Sequence, residues 1–280
     1  MTICVGIKVN DGIVFVADSA TTLLSPNGNG SPFGVRVYNH ADKVFNLYRG
    51  QPIVSMTCGL GNFGNESIAT ISKCIRDKLM SIDGGINPLD YTVQSVVEVA
   101  YEEFRSKYEP LDAAIKAHSS FEYFIAGFPS NSNRSEIWKI VFSNGETPEP
   151  VMLVDSDSSD IIWAGQPEAC IRLVLGVSSQ TQFVLNNIGL TSDQSEQLHQ
   201  SIINASRSPF LVNSMPMPDA ISLAEFLAST TVNFVKFMPG ADTVGGSLDI
   251  ATITKYEGFK WIKRKHFYPI HLNGETDHVR

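Results

Sequence analysis

The second residue of the chain, Thr2, is of the type that an N-terminal nucleophile requires. Initiator methionine is commonly removed before small residues, which would leave Thr2 with a free α-amino group. Such an amine has a pKa of about 7.7–8.0 and can act as general base on the hydroxyl of its own residue, without a histidine. Many chains begin Met-Thr, so this chemistry also requires partner groups from elsewhere in the sequence.

A glycine motif supplies one such group. The segment Gly59–Gly64 (GLGNFG) matches the dinucleotide-binding pattern G-x-G-x-x-G between a predicted strand and a predicted helix. A βαβ unit would continue into a parallel strand, but a loop at 83–88 and a second helix follow here, which disfavours nucleotide binding. Backbone N–H groups at a glycine-rich helix start still suit an anion, including the oxyanion of a transition state.

The histidines and cysteines do not predict a metal site. The six histidines are scattered, and the four cysteines are far apart and form no C-x-x-C pair. The cysteines are Cys4, Cys58, Cys74 and Cys170. We interpret them as free thiols in a reducing compartment, and we expect no metal and no cofactor.

The strands that would position Thr2 follow from hydrophobic alternation. Apolar residues alternate from Ile3 to Val9, Asn10-Asp11-Gly12 predicts a turn, and the buried run Ile13–Ala17 predicts a second strand that ends at Asp18. The first 18 residues therefore predict a β-hairpin. Residues 24–34 are rich in glycine, proline and asparagine and predict a loop.

The rest of the chain predicts blocks of strands and helices in turn. Helices are predicted at about 65–80, 92–108 and within 167–237; strands are predicted at 43–48, 53–58, 121–127, 135–142, 150–154, 161–164, 248–254 and 259–262. Blocks of this kind favour antiparallel sheets with helices on their outer faces over a parallel doubly wound sheet. We expect one domain over residues 1–280, with a helical insertion at about 178–216 and an extension at about 263–280.

Composition limits the class of protein. The 280 residues would fit about two domains by length alone, and the 43% of hydrophobic residues suffice for a full core. The net charge of −8 disfavours nucleic acid as a partner, and no apolar run approaches the ~20 residues that cross a bilayer. The start of the sequence does not have the pattern of a signal peptide, so we expect a cytoplasmic protein.

Several separated motifs resemble proteasome β-type subunits, which are N-terminal nucleophile (Ntn) hydrolases. The resemblance covers roughly residues 2–110 and 120–262. Its motifs are the hairpin Thr2–Thr22, Asp42–Leu47, Ser55–Asn62, Gly245–Thr254 and Tyr256–Phe259. It implies an α+β fold, a four-layer α-β-β-α sandwich with two stacked, mainly antiparallel sheets, and a threonine-type peptidase.

The resemblance also implies a role for each matching residue. Thr2 matches the nucleophile, Lys43 matches the lysine whose charge lowers the pKa of the threonine amine and hydroxyl, and Asp18 matches the carboxylate that orients this lysine. Gly59 matches the oxyanion donor. The matches to substrate-binding residues are Thr22, which would hold substrate main chain, and Thr57 and Gly61, which would line the pocket for the residue before the scissile bond.

The sequence departs from the family pattern around this site. Position 20 is alanine where arginine is usual, the turn at 164–167 contains no serine, and Val244 replaces the serine of a late Asp-x-x-Ser-Gly-Gly element. The aspartate of that element is displaced by one position, to Asp242, which could still support the nucleophile. These departures leave two alternatives open: a catalytically silent, self-assembling proteasome-like scaffold, and a small-molecule amidase on the same fold.

The additions to the family pattern resemble one branch of it. The long loop at 24–34, the helical insertion and the tail look more like bacterial proteasome-related proteins of the ancestral β-subunit type than like subunits of the proteasome core particle. The resemblance implies a homo-oligomeric ring or spiral and a peptide or protein substrate. The sequence does not identify any unfoldase partner.

Overall fold

A computed structural model describes residues 2–26, 32–239 and 244–265, with the backbone alone at 22–26 and 32–36. The strands in these ranges are β1 (Ile3–Val9), β2 (Gly12–Ala17), β3 (Thr21–Pro26), β4 (Pro32–Tyr38), β5 (Val44–Asn46), β6 (Ile53–Gly59), β7 (Asn62–Phe63), β8 (Glu66–Ser67), β9 (Ser120–Gly127), β10 (Glu136–Ser143), β11 (Val151–Val154), β12 (Asp160–Gly165), β13 (Asp249–Thr254) and β14 (Gly258–Lys263). The helices are α1 (Ile68–Leu79), α2 (Val93–Tyr108), α3 (Ala113–Ala117), α4 (Glu168–Cys170, continued by a π-helical turn Ile171–Leu175), α5 (Thr181–Asn186), α6 (Ser192–Ser206) and α7 (Met217–Lys236).

Most strands of the described ranges form two antiparallel sheets. The first sheet has the order β12-β1-β2-β13-β14, and the second has the order β11-β10-β9-β6-β5. The predicted hairpin is confirmed, since β1 and β2 pair from Cys4 opposite Ala17 to Val9 opposite Gly12. Both strands are buried along their whole length because each lies inside its sheet and is covered on both faces.

Three apolar cores separate four layers. One core lies between the second sheet and the helices α1 and α2, one lies between the two sheets, and one lies between the first sheet and the helices α4 and α7. Alternation along β1 explains the division, because Ile3, Val5 and Ile7 face the helices whereas Cys4 faces the second sheet. The predicted α-β-β-α sandwich with stacked antiparallel sheets is therefore confirmed.

The helices begin and end where local sequence directs them. In α1, Ser67 caps the first turn by accepting a hydrogen bond from the Thr70 N–H at 3.1 Å. Ile71 and Ile75 lie on one face and are fully buried against the second sheet. Pro218 occupies the first turn of α7, where a missing N–H costs nothing. No helix in the described ranges is long and apolar enough to cross a membrane.

The loop predicted at 24–34 is wrong for part of its length. Thr21–Pro26 and Pro32–Tyr38 pair as an antiparallel hairpin whose register shifts at Leu23/Leu24. Residues 27–31 lie outside the described residues. Pro26, Pro32 and Gly34, which contributed to the loop prediction, therefore lie in paired strands. The predicted insertion at 178–216 contains α5 and α6, and residues 266–280 of the predicted extension lie outside the described residues.

The last described residue, Lys265, is held by two carboxylates, of which Asp249 is buried and Asp42 is partly exposed. Its side chain is 5% exposed and forms ion pairs with Asp249 and with Asp42, the latter at 3.4 Å, and its backbone N–H donates to Asp249 Oδ1 at 3.0 Å. Asp249 begins β13 opposite Ala17, and Asp42 precedes Lys43. This ion-pair cluster fixes the end of β14 beside the edge of the sandwich where Asp18 and Lys43 lie.

We expect Lys265→Met to lower the free energy of unfolding by about 3 kcal/mol, because it leaves the buried Asp249 carboxylate without a counter-charge. Lys263→Met is the matched control. Lys263 is 53% exposed and pairs with Glu225, and an exposed pair contributes less than about 1 kcal/mol. Urea unfolding of both variants measures the difference, and equal midpoints would contradict this account of the cluster.

Candidate active site

One edge of the sandwich brings the ends of several strands together. Thr2 directly precedes β1 and Asp18 directly follows β2, so the antiparallel hairpin places both at the same edge of the first sheet. Lys43 directly precedes β5, and Gly59 ends β6, which is paired antiparallel with β5 at the same edge of the second sheet. Stacking of the two sheets brings these edges into contact.

Lys43 joins Thr2 and Asp18. Its ammonium donates to Thr2 Oγ1 at 2.5 Å and to Asp18 Oδ1 at 2.7 Å. Thr2, Asp18 and Lys43 are 4%, 1% and 6% exposed, so the charges interact with little screening by water. The hydroxyl of Thr2 therefore lies against a buried positive charge that is also paired with Asp18.

Backbone donors hold the Asp18 carboxylate. Besides Lys43, the N–H of Ile3 donates to Oδ1 at 3.1 Å, and the N–H groups of Ala20 and Gly245 donate to Oδ2 at 3.2 and 2.9 Å. Bonds from separate segments restrict both oxygens, so the carboxylate presents a fixed face to Lys43. The sequence motif at 245 predicted a strand of the family, but its N–H on Asp18 was not predicted.

The turn before β13 is tied to the segment after Asp18. Ser19 Oγ donates to the Ser247 carbonyl at 2.6 Å, and the Ser19 N–H donates to the Gly245 carbonyl at 3.0 Å. Gly246 has φ of +74°, and a Cβ there would lie 2.8 Å from the Asn39 carbonyl oxygen. This close backbone packing keeps the Gly245 N–H aimed at Asp18.

The remaining predicted residues lie at different positions around this centre. Thr57 lies on β6, where its N–H donates to the Lys43 carbonyl at 2.9 Å and its hydroxyl donates to the Glu122 carbonyl at 3.3 Å. Gly59 has φ of +94°, a conformation that favours glycine. A Cβ on Gly61 would lie 3.3 Å from Thr21 Oγ1, which places Gly61 beside the start of β3.

For two of the predicted site residues, Thr22 and Asp242, the structure describes no side chain. Thr22 pairs with Val37 in the β3–β4 hairpin, but its side chain is not among those described. Asp242 lies outside the described residues. Its predicted support of Thr2 stays a prediction.

Gly165 is a site residue that the sequence reasoning missed. It lies opposite Ile3 where β12 pairs with β1, and the next residue, Gln166, donates its N–H to the Thr2 carbonyl at 2.8 Å. Gly165 has φ of +94°, and a Cβ there would lie 1.9 Å from the Thr2 carbonyl oxygen. The turn at 164–167 had been noted only for its missing serine, whereas its glycine allows β12 to pass against Thr2.

Two surface cavities lie at the opposite edge of the sandwich. One, of about 560 Å³, is lined by the turn after β5, including Arg49 and Gln51. The other, of about 410 Å³, is lined by Lys255 and its neighbours, where β13 ends opposite Gly12. Neither cavity includes Thr2 or Lys43. In the described part of the chain, no cluster of three or more His, Cys, Asp or Glu side chains could hold a metal ion.

Comparison with known proteins identifies the fold. No family model and no curated protein sequence matches the chain. Among solved structures, the Anbu (Gly-1) mutant from Hyphomicrobium sp. strain MC1 is similar with a TM-score of 0.51 at 12% sequence identity, over 95% of this chain and 86% of that one. Identity this low shows the fold alone. The chain has a broadly proteasome-like fold, and this similarity does not assign it to a specific family.

Proposed function

We propose that the chain is a threonine-type Ntn hydrolase that cleaves amide bonds through Thr2. The observation that supports this most directly is the position of Lys43, whose ammonium is hydrogen-bonded to both Thr2 Oγ1 and Asp18. The proposal requires that every residue before Thr2 is removed, because the free α-amine is the general base.

In the proposed acylation step, the amine of Thr2 takes the proton of Oγ1 as this oxygen attacks the substrate carbonyl carbon. The adjacent charge of Lys43 stabilises the developing alkoxide. The carbonyl oxygen becomes an oxyanion, to which the N–H of Gly59 donates in this proposal; such a donor can be worth about 2.7–4 kcal/mol. The protonated amine then passes its proton to the leaving nitrogen, the C–N bond breaks, and an ester on Thr2 remains.

In the second step, water hydrolyses this ester. The Thr2 amine takes a proton from the attacking water, and Oγ1 leaves as the alcohol, which regenerates the site. Asp18 does not touch the substrate; it holds Lys43 against Thr2. Asp242 is the proposed further support of the nucleophile, as the late family element implies.

The proposed substrates are peptides or protein segments, and the proposed assembly is a homo-oligomeric ring or spiral. Thr22 would bind substrate main chain, and Thr57 and Gly61 would line the pocket for the residue before the scissile bond. The position of Gly61 beside Thr21 is consistent with a pocket bordered by β3 and β6. The sequence departs from the family pattern at position 20, at 164–167 and at 244. Because these positions lie around the proposed site, hydrolase activity is the first property to measure.

We expect a hydroxyl-directed β-lactone to acylate Thr2 in the native protein, because Lys43 stabilises the attacking oxygen. Intact mass of protein from its natural host first shows whether Thr2 is the N-terminal residue, and peptide mapping then locates the adduct. Thr2→Ser should retain the adduct, and Thr2→Ala should lose it. Thr231→Ala removes another buried threonine, one bonded to the Leu227 carbonyl, and should label normally.

Retention of residues before Thr2, together with the absence of any adduct, would refute the proposed enzyme and favour a silent scaffold. If Thr2 is labelled, a peptide library compared between wild type and Thr2→Ala tests the substrate class. Cleavage that depends on Thr2 supports a peptidase. A labelled protein that cleaves none of the peptides would contradict the peptide assignment and favour a small-molecule amidase.

A further inference from the structure

Two buried thiols lie between the sheets, next to the Thr2 site. Cys4 on β1 and Cys58 on β6 belong to the same apolar core, and each thiol shifts the pKa of the other. Cys4 Sγ also donates to the Thr57 carbonyl at 3.2 Å. The pair therefore connects the first strand of one sheet to a central strand of the other.

The same pair borders the nucleophile and the proposed oxyanion donor. Cys4 is two residues beyond Thr2, and Cys58 directly precedes Gly59. A Cβ on Gly165 would lie 1.9 Å from the Thr2 carbonyl oxygen and 3.3 Å from Cys58 Sγ, so both atoms contact the same small space. A change in the geometry of the thiols is therefore transmitted to the backbone of Thr2 and Gly59.

Exposure and charge distinguish the two thiols. Cys58 is 7% exposed, whereas Cys4 is fully buried. The neighbouring Cys4 lowers the pKa of the Cys58 thiol, and the charge of Lys43 acts in the same direction. Burial raises the pKa of the Cys4 thiol. A thiolate is the reactive form, so Cys58 is the thiol that meets a small oxidant first.

We propose that Cys58 and Cys4 are a peroxide-sensitive modification site, in which Cys58 is oxidised first and Cys4 then closes a disulfide. Of the four cysteines, all of which are described, only Cys4 and Cys58 share one core, and both lie next to the Thr2 segment. Cys74 is exposed on α1, and Cys170 is buried against Thr231 on the other side of the first sheet.

The oxidant is hydrogen peroxide, and the chemistry balances in two steps. The Cys58 thiolate attacks one peroxide oxygen, an S–O bond forms, the O–O bond breaks, and hydroxide leaves. The Cys4 sulfur then attacks the Cys58 sulfur, an S–S bond forms, the S–O bond breaks, and the hydroxide released takes the Cys4 proton to become water. In total, two thiols lose two electrons and two protons, and one peroxide becomes two waters.

Formation of this disulfide would alter the Thr2 site. A disulfide holds its sulfurs at about 2.05 Å, closer than two non-bonded sulfurs can approach, so β1 and β6 must draw together at Cys4 and Cys58. That shift moves Gly59 relative to Thr2. On the proposed function, on which this step rests, the oxidised protein reacts more slowly at Thr2.

Peroxide titration of the Cys74→Ser protein tests the pair directly, because this variant cannot form disulfides through the exposed thiol. Trypsin separates the thiols: Cys4 lies in the peptide that ends at Lys8, and Cys58 lies in 50–73. We expect a loss of about 2 Da and a cross-link between these two peptides, both reversed by dithiothreitol. Cys170, a buried thiol of raised pKa, is the internal control and should react at least about tenfold more slowly.

The variants separate the roles of the two thiols. In Cys4→Ser, Cys58 should stop at the sulfenic or sulfinic acid without a cross-link, and in Cys58→Ser the buried Cys4 should remain reduced. Oxidation of Cys58 no faster than Cys170, or sulfinic acid at Cys58 without any cross-link in the presence of Cys4, would overturn the proposal. These readouts do not depend on enzyme activity.

The β-lactone reaction gives the second readout. Oxidised protein should be acylated at Thr2 at least about tenfold more slowly than reduced protein, and dithiothreitol should restore the rate. An unchanged rate in fully cross-linked protein would overturn the coupling to Thr2. A cross-link in protein that never reacts at Thr2, even when reduced, would refute the proposed hydrolase while supporting the thiol pair.

Discussion

Replacing Lys43 with methionine is expected to slow acylation of Thr2 by roughly 10³-fold, within the range by which positioned proton-transfer and charge-stabilising groups act. The Lys43 ammonium is hydrogen-bonded to Thr2 Oγ1 at 2.5 Å, and both residues are buried. Methionine has a similar length but neither a charge nor a donor, so the alkoxide that forms during attack loses its stabilising partner. Intact mass measured over time with a β-lactone gives the rate.

Lys8→Met is the matched control for this substitution. Lys8 is also buried, 3% exposed, but it lies near the other end of β1 and donates to the Ser156 and Ser158 carbonyls. At about 3.3 Å per residue along a strand, it lies roughly 20 Å from Thr2. Equal slowing in both variants would mean that the effect comes from lost stability and not from the ammonium at Thr2.

Lys43→Met also leaves Asp18 buried without its counter-charge, which can unfold the protein. The double variant Lys43→Met with Asp18→Asn removes both charges. It is expected to react as slowly as the single variant while regaining stability against urea. A double variant that is folded and reacts at the wild-type rate would refute the role assigned to Lys43.

Gly165→Ala is expected to have the largest effect on the fold near Thr2, lowering the free energy of unfolding by about 3 kcal/mol or preventing folding. Gly165 has φ of +94°, and its new Cβ would lie 1.9 Å from the Thr2 carbonyl oxygen and 3.3 Å from Cys58 Sγ. β12 would have to move away from β1. Urea unfolding and the β-lactone rate measure the two consequences.

Gly145→Ala separates backbone strain from this collision. Gly145 has φ of +82°, but a Cβ there meets nothing within 4 Å. Its substitution carries only the left-handed strain, about 1 kcal/mol, and should leave the Thr2 reaction unchanged. Similar losses of stability in the two variants would show that contact with Thr2 contributes nothing at Gly165.

Hydrophobic periodicity predicted the strands and helices that bury one face against a core. The alternation from Ile3 to Val9 predicted β1, and the helical spacing of Ile68, Ile71 and Ile75 predicted α1, because burial of a repeating face determines both. The blocks of strands and helices predicted the layered architecture for the same reason.

The sequence pattern did not predict contacts between residues that are far apart in the chain, or strands whose composition is typical of a loop. The β3–β4 hairpin was predicted as loop because its glycines and prolines outweighed the apolar residues between them. The hydrogen bonds between two paired strands stabilise both of them, and the composition of either segment by itself gives no sign of these bonds. The thiol contact between Cys4 and Cys58 was also not predicted, because residues far apart in sequence become neighbours only when two sheets stack.

The site shows the same division. The sequence by itself determined that Thr2, Asp18 and Lys43 end or precede strands, and family resemblance selected them as a set. Only the tertiary structure decided that Lys43 reaches both Thr2 and Asp18, that the Gly245 N–H holds the carboxylate, and that Gly165 passes against Thr2. Strand ends are fixed by local burial, whereas distances between them depend on how two sheets pack across a shared core.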